Sequence, residues 1–388
     1  MRPRSASFIG AAETFTAADA EMTPREDRGG VVCFATQGRG HIEGERIRVL
    51  LDSLAPDEFA FDRAHKLRSA IALFRKARAQ RPELIVMEGT GTAGGLTLLA
   101  VDALLGVPFV FSSGDAVGPY LGLHSRLLGL LGTVYERLLC RRCAGFVGWT
   151  PYLVGRALTY GAPRGMTAPG WTRNEPSAGS RERVRRALGV SDDTLLVGLV
   201  GSLHWNDKVG YVYGAELVQA VRRVQRRDLV VCIVGDGDGR RHLEELAGDD
   251  LGTRVLLPGR VAPEQVPDFL SAFDAGSLSQ SVDSVGSFRY TTKLSEYVAA
   301  GLPIITGEVP LSYDLDDGYF WRLPGDAPWG SVHIDALVGF LQGLSLEEVA
   351  RRRAAVAASE SDRFERPVQQ QRMHDFIKDI LAERARDA

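Results

Sequence analysis

Short runs of β-branched and aromatic residues alternate with amphipathic, helix-compatible stretches along this chain, and no other feature narrows the fold as far. From Gly29 the pairs are "VVCFAT" with "EGERIRVLLDSL", "ELIVMEG" with "LTLLAVDALLG", "PFVFSS" with "LLGLLGTVYERLL", and "GFVGWT" with "YLVGRALTYG". That order builds parallel strands joined by crossover helices, with both faces of the sheet covered. Residues 169–193, "PGWTRNEPSAGSRERVRRALGVSDD", interrupt it with Pro, Gly and Ser and mark the expected domain boundary. The alternation then resumes through "LLVGLVGSL", "LVVCIVGDG", "TRVLLPGRV", a short strand near "AGSLSQS", and "LPIITGE". The expectation is an α/β protein of two doubly wound domains, 29–172 and 173–355, with helices over 356–388 that close the chain and can pack back on the first domain.

A net charge of -3 gives no overall basic field, so nucleic acid is not an expected partner and any phosphate recognition must be local. Four cysteines, Cys33, Cys140, Cys143 and Cys232, are too sparse for a disulfide framework, and "CRRC" has no second pair to complete a zinc site. Free thiols in a reducing cytoplasm are expected. Residues 1–28 read as a disordered leader without the apolar core of a secretory signal. The most apolar window, residues 93–111, contains Asp102 and a "GVP" break, and reads as a helix followed by a buried strand rather than a membrane span.

In open parallel sheets, ligands bind beyond the carboxyl ends of the strands, so the turns there carry the candidates. "GRGH", Gly38 to His41, could let backbone approach a ligand or be an ordinary turn, and Arg46 could meet substrate or a surface carboxylate. Lys208, in "VGSLHWNDKVG", is expected near a helix start, where a cation could neutralise phosphate; a plain surface lysine is the alternative. "VGDGDG", 234–239, misses the dinucleotide spacing and reads as a tight turn. In "FRYTTKLSEYVAAG", Thr291 or Thr292 is the expected N-cap, Lys293 adds positive charge, and Glu296 could accept two hydrogen bonds from a ribose diol. A capping box in which Glu296 bonds back to the turn is the competing reading.

Together, "VGDGDGRRHLEEL", "VLLPGRVAPEQVPDFLSAFDAG" and "TTKLSEYVAAGLPII" resemble, in order and spacing, the retaining nucleotide-sugar glycosyltransferases of family 4, whose GT-B fold sets two Rossmann-like domains across a donor cleft. The resemblance implies that Glu296 binds the donor ribose and that the backbone of Thr291, Thr292 and Leu294 faces the pyrophosphate. It implies that Lys208 is the phosphate lysine, that Arg260 and Val261 meet the base, and that Gly38 and Gly40 approach the donor. Three positions depart from the family: Phe288 replaces a glutamate eight residues before Glu296, Ser202 stands where a donor-binding basic residue is usual, and Gly114-Asp115 replaces His-Asp. Arg289 could supply the charge missing at Ser202.

The implied reaction is sugar transfer from a nucleoside diphosphate to a hydroxyl on a glycan, lipid-linked sugar or small molecule. Lys208, Lys293 and Arg289 would stabilise the leaving group, and Asp115 or His41 would orient the acceptor. Neither a cofactor nor a metal is expected. Two alternatives are a GT-B sugar-nucleotide epimerase and a non-catalytic partner subunit. A cytoplasmic location is expected. "RLLGLLGTVYERLLCRR", 126–142, could add contact with the inner membrane face, against the simpler reading of a helix packed on the first sheet with a polar outer edge.

Overall fold

The computed structural model describes residues 30–38, 40–171, 175–359 and 361–387, so the expected leader lies outside the described residues. Strands β1 (Val31–Ala35), β2 (Asp57–Glu58), β3 (Leu84–Glu88), β4 (Phe109–Ser113), β5 (Gly145–Gly148) and β6 (Gly165–Thr167) form one parallel sheet in the order β2-β1-β3-β4-β5-β6. Between them run helices α1 (Ile42–Leu50), α2 (Lys66–Gln80), α3 (Thr92–Leu105), α4 (Val117–Gly122), α5 (Arg126–Arg142) and α6 (Pro151–Thr159).

The period-2 pleat decides which residues meet which helices. Val32 and Phe34 of β1, with Ile85 and Met87 of β3, face the layer formed by α2, α3, α5 and α6. Val31 and Cys33, with Leu84 and Val86, face α1 and a helix from the far end of the chain.

The second sheet takes the order β12-β11-β10-β7-β8-β9, again parallel. Its strands are β7 (Leu195–Val200), β8 (Leu229–Val234), β9 (Val255–Gly259), β10 (Ala275–Leu278), β11 (Ile304–Gly307) and β12 (Phe320–Leu323). Helices α7 (Ser180–Leu188), α8 (Ala215–Arg223), α9 (Arg240–Ala247), α10 (Val266–Ala272), α11 (Lys293–Ala299), α12 (Leu311–Asp314), α13 (Ser331–Gly343) and α14 (Leu346–Ala358) surround it. The chain then crosses back, and α15 (Arg366–Asp387) buries Met373, Ile377 and Ile380 against the first sheet.

The "VGDGDG" turn shows why glycines stand there. A Cβ at Gly235 would lie 1.8 Å from the Gly201 carbonyl oxygen and one at Gly237 would lie 2.4 Å from that of Leu203, so two strand-end loops pack backbone on backbone. The 93–111 window divides into α3 and β4, with Gly106 in the left-handed region between them. Among the described residues, no helix is long and apolar enough to cross a membrane. All four cysteines are buried, and burial pushes the Cys140 and Cys232 thiols up to about 12, which disfavours the reactive thiolate.

Candidate active site

The carboxyl ends of both sheets face a common cleft holding two adjoining cavities. The first, about 380 Å³, is walled by Thr36 and Gln37 after β1, Gly89 to Thr92 after β3, Ser113 to Asp115 at the end of β4, and Trp149 after β5. The second, about 310 Å³, is walled by Leu278, Ser279 and Gln280 at the end of β10 and by Thr291 to Lys293 at the start of α11. Trp149, Arg289 and Tyr290 line both, so the two spaces share one wall.

Beneath that wall, Glu88 ends β3 with 1% of its surface exposed. Its carboxylate accepts from Arg46 Nη1 at 3.1 Å, Ser112 Oγ at 2.9 Å and Trp149 Nε1 at 3.0 Å, and Arg46 lies 4.5 Å over the Trp149 ring. Arg46 also donates to the Ala168 carbonyl. A buried charge needs this degree of pairing, and here the pairing fixes the indole plane on the cavity side. A Cβ at Gly114 would sit 3.0 Å from the same indole, so the glycine at the expected His-Asp position makes room for Trp149.

Glu43, one residue into α1, also lines the first cavity. Burial pushes its carboxyl up to about 7, with Glu88 and Asp115 adding to the effect. Its Oε2, Gln37 Oε1 and, in the second cavity, Gln280 Oε1 are buried without a hydrogen-bond partner within the protein. Buried polar atoms are normally satisfied, so three unsatisfied ones on the walls of one cleft suit a polar ligand.

In the second cavity Lys293 reaches over the Tyr213 ring, 5.2 Å from its centroid, and burial holds its ammonium below the ordinary lysine range. Under the same wall, Glu216 accepts from Tyr211 Oη at 2.8 Å and from the Ser279 hydroxyl, and burial raises its pKa.

Of the residues expected at the site, Asp115, Arg289, Thr291, Thr292 and Lys293 come together at these cavities. The helix start differs from expectation. No side chain caps it at Thr292; Thr291 Oγ1 instead accepts from the Lys293 N–H at 3.4 Å and the Thr291 carbonyl from the Leu294 N–H at 3.1 Å. Those two amides are used inside the turn, and the Leu294 side chain is buried in the second core. The competing capping box is also absent, since Glu296 stands four residues after Thr292 and a box needs three. Glu296 is half-buried and lines neither cavity.

Other expectations need correction. Arg46, 5% exposed, lines neither cavity and pairs with the buried Glu88 rather than with a surface carboxylate. Gly38 and Gly40 take left-handed φ values of 94° and 82°, yet the loop they shape presents Thr36 and Gln37 to the cavity and leaves His41 exposed outside it. Lys208 is not at a helix start: it lies in an exposed turn seven residues before α8, and its Nζ donates to the Leu123 carbonyl of the first domain at 3.2 Å. Ser202 and Arg260 are exposed, Val261 packs on the second core, and none of the three lines either cavity. Phe288 faces the first domain, where Arg156 lies 5.4 Å over its ring and the Thr150 hydroxyl donates to its carbonyl at 3.3 Å. Sequence reasoning missed Glu43, Glu88, Trp149 and Gln280, which have no motif around them; only the position after a strand end marked Trp149 and Gln280.

Residues 194–324 match the family described as glycosyl transferases group 1, and residues 10–169 match the glycosyl transferase 4-like domain. HepE of Anabaena, solved in complex with UDP, superposes at a TM-score of 0.68 and 14% identity, over 90% of this chain and 100% of that one. Sucrose-phosphate synthase of Thermosynechococcus elongatus gives 0.65 and 13%, over 91% and 100%. A glycosyltransferase of Rickettsia africae gives 0.59 and 11%, over 91% and 99%. At such identities the likeness is one of fold, the GT-B arrangement of two facing α/β domains. No curated protein sequence matches the chain.

Proposed function

Since this chain belongs to the glycosyl transferases that set a 4-like domain before a group 1 domain, we propose that it transfers a sugar from a nucleoside diphosphate to an acceptor hydroxyl with retention at the anomeric carbon. The observation that carries the reading is the shared wall. Arg289 and Lys293 bring two cations to one edge of the second cavity, where a diphosphate would depart, and the first cavity, across the shared wall, is assigned to the acceptor.

In this reading the bond from the anomeric carbon to the phosphate oxygen breaks as a bond from the acceptor oxygen forms on the same face, and the acceptor proton passes to the departing phosphate. The protein's part is to stabilise charge on the diphosphate, for which Arg289 and Lys293 are placed. Glu296 is assigned to the donor ribose, on the strength of its place in "TTKLSEYVAAG". With two side-chain cations in that role, no metal is required, and activity should survive a chelator. HepE has been solved with UDP and with UDP-glucose, which makes UDP the first nucleotide to test. We place the reaction in the cytoplasm, at the inner face of the membrane; a cysteine content too sparse for a disulfide framework and the apolar outer face of the first domain support that placement.

A thermal-shift screen with UDP, GDP, ADP, CDP and dTDP tests the donor site, because a ligand of the folded state raises the melting temperature. At least one should do so, and silence from all five would end the reading. NMR of the product then reports whether the anomeric configuration is retained. One observation favours an epimerase instead: Glu43 and Asp115 line the same cavity, as an acid and base pair would. Donor incubated without acceptor separates the two, since only an epimerase returns an altered nucleotide sugar.

A further inference from the structure

The outward face of the first domain takes no part in the transfer described above. Helices α2, α3 and α5 send Leu73, Leu98 and Leu139 into the core, yet they also leave large apolar side chains in solvent. Leu67 is 75% exposed, Leu96 56% and Leu130 62%, with Leu127, Leu131 and Val134 beside Leu130 on α5. The expected polar outer edge of α5 is therefore an apolar one, and contiguous apolar surface of this kind marks a binding face.

Between α2 and α3 this face forms a groove of about 730 Å³, floored by Leu67, Ile71, Phe74 and Leu96 and flanked by Arg75 and Arg78. Lys66, Thr92 and Ala93 line both the groove and the first cavity of the cleft. The groove is thus continuous with the space assigned to the acceptor. From Leu67 to Arg78 the helix runs about 16 Å at roughly 1.5 Å per residue, long enough for an extended hydrocarbon chain to lie along it.

Charge identifies what covers the groove. Helix α2, "KLRSAIALFRKARAQ", carries Lys66, Arg68, Arg75, Lys76 and Arg78 and no acidic residue. A second copy of the chain docked through this face about a two-fold axis would set those cations against themselves, which opposes association. An anionic amphiphile matches both the apolar floor and the basic rim.

We propose that the acceptor hydroxyl is carried on a phosphate-bearing lipid whose chain lies in the α2–α3 groove. Its phosphate meets Lys66 at the junction, and its hydroxyl end passes Thr92 into the first cavity. Chain, phosphate and hydroxyl then occupy groove, junction and cavity in that order. The identity of the hydroxyl end as acceptor rests on the transfer reading; binding in the groove does not.

The test is titration of the full-length chain with dodecyl phosphate below its critical micelle concentration, with inorganic phosphate and monomeric dodecyl maltoside as controls. Wild-type protein should bind dodecyl phosphate at least about tenfold more tightly than either control, the gain over inorganic phosphate coming from burial of part of the alkyl chain and that over the maltoside from the phosphate meeting the basic rim. Leu67→Glu and Leu96→Glu, both at exposed positions where folding is checked by melting temperature, should each lose about tenfold. Vesicles containing phosphatidylglycerol should co-sediment the protein where phosphatidylcholine vesicles do not. Equal binding by the glutamate variants, no preference over inorganic phosphate, or a lipid-free dimer broken by the same substitutions would overturn the proposal. UDP titrated in parallel keeps the two readings apart: a nucleotide response without dodecyl phosphate binding removes only the lipid, and the reverse removes only the donor.

Discussion

Arg289 Nε donates to Asp115 Oδ1 at 2.9 Å, tying the loop before α11 in the second domain to the end of β4 in the first. Both side chains remain about two-fifths exposed, so the pair contributes little to stability. Its consequence is directional, since one arm of the guanidinium is held by Asp115 at the wall the two cavities share. Arg289 thus stands at both cavities, held from the opposite domain.

Arg289→Ala should lower kcat/KM for the donor by about a hundredfold, close to 2.7 kcal/mol of transition-state stabilisation. Asp115→Asn should be milder and show chiefly in KM, because the cation survives and only its orientation is relaxed. Steady-state kinetics of nucleoside diphosphate release decides, and an unchanged Arg289→Ala would remove this residue from the mechanism.

Lys293→Met should cost about 10² to 10³ in kcat, as loss of a preorganised cation does, without lowering the melting temperature. The ammonium lies over an aromatic ring with burial working against its charge, so an apolar replacement of similar length is tolerated. Because burial lowers this pKa, the wild-type rate should fall at a lower pH than an ordinary lysine would dictate. A pH profile measured alongside Lys293→Arg, whose guanidinium stays charged across that range, distinguishes that loss from titration of other groups.

Glu43 gives a pH dependence of stability whose sign follows from its raised pKa. The folded protein holds the proton up to about 7, the unfolded chain only to about 4.5. Stability from this group is therefore complete below about 4.5 and is lost as pH rises through about 7, a change of about 3 kcal/mol. Glu43→Gln carries no such titration, so melting temperatures of the two proteins should separate as pH rises from about 5 to about 8, with wild type the less stable at the upper end. Parallel curves across that window would show that Glu43 titrates normally.

Ile377→Ala should destabilise the protein by about 2–5 kcal/mol even though it lies far along the chain from the strands it covers. The loss should appear as increased hydrogen exchange in β1 and β3 of the first domain, since Ile377 packs with Val31, Cys33 and Val86 there. Protection lost only within α15 would contradict that packing.

The central strands were legible because both faces of each are buried, which leaves continuous apolar runs such as "LIVME" and "LVVCIV". β2 and β6, two and three residues long and only partly buried, leave no such run, and β12 interrupts its apolar residues with an exposed Arg322. Helix α2 escaped notice because Leu73 and Ala77 make its inward stripe narrow among five basic residues, and those residues are what give its outer side a purpose. At the site, "TTKLSEYVAAG" was legible because cation, turn and carboxylate lie within six residues. The Arg289 to Asp115 pair spans 174 positions, and Glu43 reaches the cleft from α1 while Trp149 and Gln280 reach it from separate strand ends. Only the strand order brings them together.

The return of α15 has a further consequence in time. Met373, Ile377 and Ile380 cover the inner side of β1, which begins at Val31. During synthesis β1 leaves the ribosome some 340 residues before these partners exist, whereas domains ordinarily fold in the order in which they emerge. The second domain holds its own core and can settle first. Until α15 is made, the amino-terminal domain waits with the part of its sheet that α1 does not cover still open.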